Sequence, residues 1–289
     1  MKITFLGITG ALSPKYNSNM LIEGSGLDDC AEEKNFAMLF DCGEDIMHSL
    51  NSAGRKPEEL TDVYISHLHM DHCGGLSWLA YYTYFIMQKK LTLRLHEAMV
   101  ADIWSMLRPS MEKLDGSKRM ATLDDYFNIK LYKEGTRFNV GGMQFFPVKQ
   151  KHVETACGDM DSYGLRGYKP GDWCGYQGTD ETHMHDGRTW RFFISSDSKK
   201  MVIPNTNEVG ALFPKHHYDY MFCDCDVMNL GGVHPNYNDL KEFPDDSKSR
   251  MWLYHYTNLD DYEGKFGGMP DAVADGFAGF VKEGQIFEL

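Results

Sequence analysis

Ser66-His67-Leu68-His69-Met70-Asp71-His72 gathers three imidazoles and a carboxylate into six positions. Neutral imidazole is a favoured metal ligand, and alternation in an extended or tightly turned segment points His67 and His69 the same way, with Asp71 and His72 following from the turn. One segment can therefore serve two adjacent metals. A lone loop histidine is ordinarily a solvated residue; three beside an aspartate read as ligands. Val63-Tyr64-Ile65-Ser66 reads as a short buried strand, and Cys73-Gly74-Gly75 opens onto an apolar helical run from Leu76 to Met87. The cluster thus sits at a strand end, where α/β folds place their chemistry.

Working outward, strands are expected at Lys2–Leu6, Asn19–Glu23, Phe36–Asp41, Leu91–His96, Ile129–Tyr132, Met143–Val148, Arg191–Ser195 and Tyr220–Asp224, and a helix at Glu44–Ser52. The alternation predicts sheets covered by helices in one domain over residues 1–289, without repeats or low-complexity linkers. Two polar stretches interrupt it: Leu27–Asn35, and Tyr168–Arg188, which reads as a loop or hairpin insertion at about 168–188.

The 289 residues are 42% hydrophobic and 25% charged, the composition of a soluble globular protein. No run approaches the roughly 18 to 20 apolar residues of a membrane span, and Met1–Gly7 reads as a strand rather than a cleavable signal, so a cytoplasmic location is expected. Seven cysteines without a CxxC pair fit reduced thiols. Cys73, Cys223 and Cys225 read as buried small side chains rather than ligands. With 29 basic against 42 acidic residues, the net charge of −13 repels a polyanion and argues against an extended nucleic-acid footprint. A single phosphate remains compatible, because bound cations are the largest charges in a metal site.

Further donors stand where other strands become loops: His152 in Lys151-His152-Val153, Asp197 in Ile194-Ser195-Ser196-Asp197-Ser198, and His255 in Leu253-Tyr254-His255-Tyr256. His96 also ends a strand and rivals His152.

His67, His69, Asp71 and His72 match the His-x-His-x-Asp-His signature, and the chain resembles the metallo-β-lactamase superfamily. That resemblance implies an α/β fold of the αββα type: two mixed β-sheets packed face to face with helices on the outside. It also implies His67, His69 and His152 on one divalent ion and Asp71, His72 and His255 on a second, with Asp197 bridging. Zinc is the expected metal and manganese the alternative, since imidazole with carboxylate accepts either. Ser162-Tyr163-Gly164-Leu165-Arg166 is similar to the segment after the third histidine ligand in the ribonuclease Z-like branch, which favours His152 over His96.

The order Asp224, then Gly231-Gly232-Val233-His234-Pro235, then Tyr254-His255-Tyr256-Thr257 is similar to that branch as well. By this resemblance Asp224 orients His234, His234 is the general acid, and Asp71, Asp224 and His234 form the catalytic set of a phosphodiesterase. Gly7–Asn17 looks like the opening of transfer-RNA-processing members, but Tyr16 replaces their arginine and no basic, glycine-rich arm is present. Compact length and acidic charge resemble instead those members that hydrolyse cyclic mononucleotides, including phage enzymes of the anti-Pycsar kind. The implied substrates are cCMP, cUMP, cAMP and cGMP, and the implied state is a homodimer. The rivals are a transfer-RNA 3′ processing endoribonuclease, a non-catalytic nucleotide-sequestering protein and a hydrolase of carbon-centred esters.

Overall fold

A computed structural model describes residues 1–27, 33–168, 190–201, 218–229, 232–262 and 267–289. The expected excursion at 27–35 lies partly, and the insertion at 168–188 almost wholly, outside the described residues. The strands are β1 (Lys2–Phe5), β2 (Met20–Leu27), β3 (Glu33–Phe40), β4 (Asp62–Tyr64), β5 (Leu91–His96), β6 (Phe127–Tyr132), β7 (Phe138–Val140), β8 (Met143–Val153), β9 (Met160–Tyr168), β10 (Trp190–Ile194), β11 (Tyr218–Asp224), β12 (Met251–Tyr254), β13 (Gly279–Phe280) and β14 (Ile286–Glu288). They form two seven-stranded sheets, ordered β14-β1-β2-β3-β4-β5-β6 and β13-β12-β11-β10-β9-β8-β7.

The chain divides into two compact units. Unit 1 comprises Met1–Ser25, Asn35–Glu134 and Lys282–Glu288; unit 2 comprises Gly26–Lys34, Gly135–Val281 and Leu289. In unit 1, β3, β4, β5 and β6 run parallel, while β1 pairs antiparallel with β2 and β14. The central β4 is short, and Val63, Tyr64 and Ile65 are wholly buried. Such a continuous apolar run is what a parallel strand covered on both faces requires. Each large apolar side chain buried this way stabilises by about 1.5–3 kcal/mol.

Helices α1 (Ile46–Ser52), α2 (Met70–Cys73) and α3 (Leu76–Tyr81) follow the strand ends. The expected helix from Leu76 to Met87 changes character at Tyr82, where the chain continues as a π-helical turn to Met87. Two glycines let the backbones close behind the motif. A Cβ on Gly43 would stand 2.2 Å from the Asp71 carbonyl oxygen, and one on Gly75 would stand 2.3 Å from that of Gly43. Any side chain there would push the motif away from β3.

In unit 2, β10, β11, β12 and β13 run parallel, and β7, β8, β9 and β10 pair antiparallel. Phe145, Leu165, Phe192, Phe222 and Leu253 form much of its core. Strand β8 runs past the expected end at Val148. Its register with β9 shifts between Lys151 and Val153, leaving His152 as the extra residue of an irregularity. Gln150 and His152 are buried while Lys149 and Lys151 are exposed, so alternation at this end of β8 turns His152 inward.

Candidate metal centre

In unit 1 a group of donors stands at the carboxyl ends of β3 and β4. Asp41, just after β3, is buried with φ of 65°. Its Oδ1 accepts from Ser66 N at 2.8 Å, and its Oδ2 accepts from Ser66 Oγ and from His72 Nδ1, each at 2.8 Å. Burial pushes the Asp41 carboxyl up, against the pull of His72 and Ser66. A carboxylate on Nδ1 fixes the His72 tautomer and turns the Nε2 lone pair outward. Nε2 then faces Asp71 Oδ2 at 3.3 Å. His67 Nδ1 meets Ser66 Oγ at 3.0 Å, and its Nε2 faces His69 Nδ1 at 3.2 Å. The His67 and His72 ring centroids are 4.2 Å apart, so the motif closes on itself.

Unit 2 repeats the plan at the carboxyl ends of β10, β11 and β12. The register Ile194↔Phe222 and Asp224↔Tyr254 aligns those ends. His152 Nδ1 donates to the Val233 carbonyl at 3.0 Å, leaving Nε2 facing Asp197 Oδ2 at 3.7 Å. His255 Nε2 lies 3.3 Å from the same oxygen. Ser196 and His255 have φ of 55° and 56°. Left-handed backbone at non-glycine residues costs on the order of 1–3 kcal/mol and concentrates at functional sites.

Beside them Asp224, fully buried, accepts from Ser195 Oγ at 2.7 Å, from Ser198 N at 2.8 Å and from Ser198 Oγ at 3.1 Å. His234 Nδ1 lies 3.3 Å from Asp224 Oδ2 and 3.9 Å from Asp197 Oδ2. Burial pushes the Asp224 carboxyl up, with His234 pulling it down. Asp197, Asp224 and His234 form one compact group of donors.

The residues fit divalent ions. In each unit a histidine whose ring proton is committed to an oxygen turns its other nitrogen on a buried carboxylate: His72 on Asp71, His152 on Asp197. Two acceptors face to face repel unless positive charge stands with them, and divalent ions supply it. His96, the rival third ligand, belongs to no such group among the described residues; its Nδ1 accepts from Ala98 N at 3.3 Å. Cys73 belongs to none either, and burial pushes its thiol up to about 12.

The structure adds residues that sequence reading passed over. Asp41 counted only as the end of a strand, and Ser66, Ser195 and Ser198 as neighbours of ligands. Asp41 carried one usable signal, a short acidic residue in Asp41-Cys42-Gly43 where a strand must turn, since aspartate tolerates left-handed backbone.

Two mixed sheets with histidine and aspartate donors gathered at strand ends define a metallo-β-lactamase fold. The crystal structure of the metallo-β-lactamase fold protein YhfI from Bacillus subtilis superposes with a TM-score of 0.63 at 15% identity, covering 99% of this chain and 98% of that one. The family described as Anti-Pycsar protein Apyc1 matches residues 1–287, and the chain belongs to it. The relative from Bacillus phage 010DV004 is 26% identical over 286 residues, covering 94% of this chain and 96% of its own length. The one from Saccharibacillus brassicae is 30% identical over 294 residues and covered in full on both sides. Both are called Anti-Pycsar protein Apyc1.

Proposed function

We propose that the protein is a metal-dependent phosphodiesterase that opens 3′,5′-cyclic mononucleotides, cCMP, cUMP, cAMP and cGMP, to nucleoside 5′-monophosphates, and so removes a cyclic nucleotide defence signal. The observation that carries this reading is the difference in access between histidines. His67, His72, His152 and His255 are buried and His69 is half-buried, whereas His234, 26% of whose side chain reaches solvent, stands over a buried carboxylate. In this reading His67, His69 and His152 hold one ion and Asp71, His72 and His255 the other, with Asp197 shared. Two neighbouring divalent ions supply Lewis acidity, activating water and neutralising phosphoryl oxygens.

The chain's own groups complete the reaction. Asp71, a ligand in the first turn of α2, also orients the attacking water. Asp224, held by Ser195 and Ser198, keeps His234 Nδ1 engaged and presents Nε2–H to the substrate. As water adds to phosphorus the P–O3′ bond breaks, O3′ takes the Nε2 proton, and the phosphate stays on the 5′ oxygen. The reading makes the enzyme a cytoplasmic homodimer. Among the described residues no helix is long and apolar enough to cross a membrane.

The test incubates metal-loaded protein with each of the four cyclic nucleotides and with a 3′-extended transfer RNA, and identifies the products. Nucleoside 5′-monophosphates are the expected outcome. Cleavage of the RNA alone would assign a processing endoribonuclease, and tight binding without product would assign a sequestering protein. The net charge of −13 counts against the first of these, because a folded RNA would be repelled along its length.

A further inference from the structure

Unit 1 carries an apolar face that no step of the reaction uses. Tyr84, Phe85 and Ile86, consecutive on the π-helical turn Tyr82–Met87, are 38%, 55% and 66% exposed, and Met120 is 57% exposed. Turns of this kind are rare and concentrate at functional sites. Fixed contacts back the face. Thr83, buried, donates Oγ1 to the Ala80 carbonyl at 3.1 Å; Gln88, with φ of 50°, ends the turn, and Lys89 N closes it on the Thr83 carbonyl at 3.1 Å. The Tyr84 ring lies 4.9 Å from Phe85 and 5.3 Å from Tyr126, the last residue of α5 (Leu123–Tyr126). Tyr81 Oη donates to the Ser110 carbonyl near the end of α4 (Val100–Met111), and Tyr126 Oη to that of Met111 at 2.6 Å. Tyr84 also stands close enough to Arg119, the neighbour of Met120, to interact with its charge. Side chains held in this way lose little freedom when something docks on them.

Area and charge say what docks. Large apolar side chains present about 150–250 Å² each, so the four leave on the order of 400 Å² exposed. That is about half of the roughly 800 Å² that each partner buries in a stable protein complex, and a little over half of such an interface is non-polar. Tyrosine, phenylalanine and methionine with arginine beside them are also the residue types enriched there. The chain as a whole has a net charge of −13, which sets two copies against each other at long range. This face escapes that repulsion. Residues 81–90 and 106–126, which carry it, hold six basic against four acidic side chains. A two-fold interface brings one patch against itself, so it requires both signs on the same patch, and both are present.

We propose that this face is where two copies of the chain pair across a two-fold axis, with Phe85 and Ile86 at the centre of the contact. The inference rests on the homodimer of the reading above and names its surface.

The experiment is sedimentation velocity of the full chain, across about 1 to 100 µM, on the parent, Phe85→Glu, Ile86→Lys and Val273→Lys. The parent is expected at twice 33.1 kDa. Phe85→Glu and Ile86→Lys change exposed side chains, so their melting should match the parent's, while the dimer Kd rises by about 30-fold or more, as for a central contact residue. Val273→Lys, 67% exposed and in unit 2, should leave the dimer intact. A dimer that persists equally in Phe85→Glu and Ile86→Lys would overturn this face alone. A parent that stays monomeric across the range would overturn both the face and the homodimer. So would capture of a monomeric parent by phosphatidylcholine vesicles that Phe85→Glu abolishes, which would assign the face to lipid. Cyclic nucleotide hydrolysis measured on the same samples separates the two readings: a dimer that fails in both variants but shows no turnover as the parent sinks the substrate and leaves the surface standing.

Discussion

In unit 1, His72 turns Nδ1 to Asp41 at 2.8 Å, and only 2% and 1% of the two side chains are exposed; in unit 2, His234 turns Nδ1 to Asp224 at 3.3 Å with the carboxylate enclosed but the imidazole 26% open. Both carboxylates are held by serines: Ser66 for Asp41, and Ser195 with Ser198 for Asp224. The pairs share their chemistry and differ in depth. A buried imidazole with a fixed tautomer can give its lone pair to a cation but has no room to meet a leaving group. An open one with the same support can hand a proton to substrate. In the proposed reading burial, rather than residue type, separates the roles of these two pairs.

The hardest way to break that contrast is to remove a ligand. His69→Ala or Asp71→Ala should abolish turnover and lower bound metal together, read by elemental analysis beside cyclic nucleotide hydrolysis; full activity at full loss of metal would end the metal assignment. Next comes His234→Ala, expected to retain metal while kcat falls by about 10² to 10⁴-fold. A fall in metal content there would move His234 among the ligands and erase the difference between the pairs. Asp41→Asn should act in the opposite sense, weakening metal affinity by roughly 10- to 100-fold, with activity recovered at high metal concentration.

Smaller effects sharpen the comparison by separating stability from the centre. Arg55 grips Glu23 through two nitrogens at 2.9 and 2.5 Å, and Lys2 adds a contact at 3.0 Å. Burial pushes the Glu23 carboxyl up, but Arg55 and Lys2 outweigh it and hold the group below its ordinary value. A lowered carboxyl stabilises the fold above its unfolded pKa and loses that contribution as pH falls through the folded one. Arg55→Ala should therefore cost about 1 kcal/mol in urea unfolding at neutral pH, and less in acid, with the metal centre unaffected. Smallest of all, alkylation followed by peptide mapping should label exposed Cys157 and spare buried Cys42, Cys73, Cys223 and Cys225 until the protein unfolds.

Much of this was legible along the chain. The strand at Leu91–His96 has the expected bounds, β1 and β11 differ from expectation by one or two residues at one end, and β10 by one residue at each, because apolar runs bounded by turns mark buried strands. The helix after Leu76 was read for its apolar face, which does not tell an α-turn from a π-turn. Strand β9 was missed: Ser162-Tyr163-Gly164-Leu165-Arg166-Gly167 mixes glycines with large residues, and its two interior glycines sit where a Cβ would strike the Ile194 carbonyl oxygen or the Phe192 ring. Only a neighbouring strand explains them.

The residues from Ser66 to His72 determined, as a string, that the chain carries a metal motif at a strand end, because all four donors lie within one local segment whose spacing the backbone itself enforces. The tertiary structure decided what is enclosed within each unit: the left-handed turn at Asp41 and the Ser66 contacts behind His72 in unit 1, and the left-handed turn at His255 and the serines that cage Asp224 in unit 2. Those depend on register and burial between segments tens of residues apart, which no local pattern encodes.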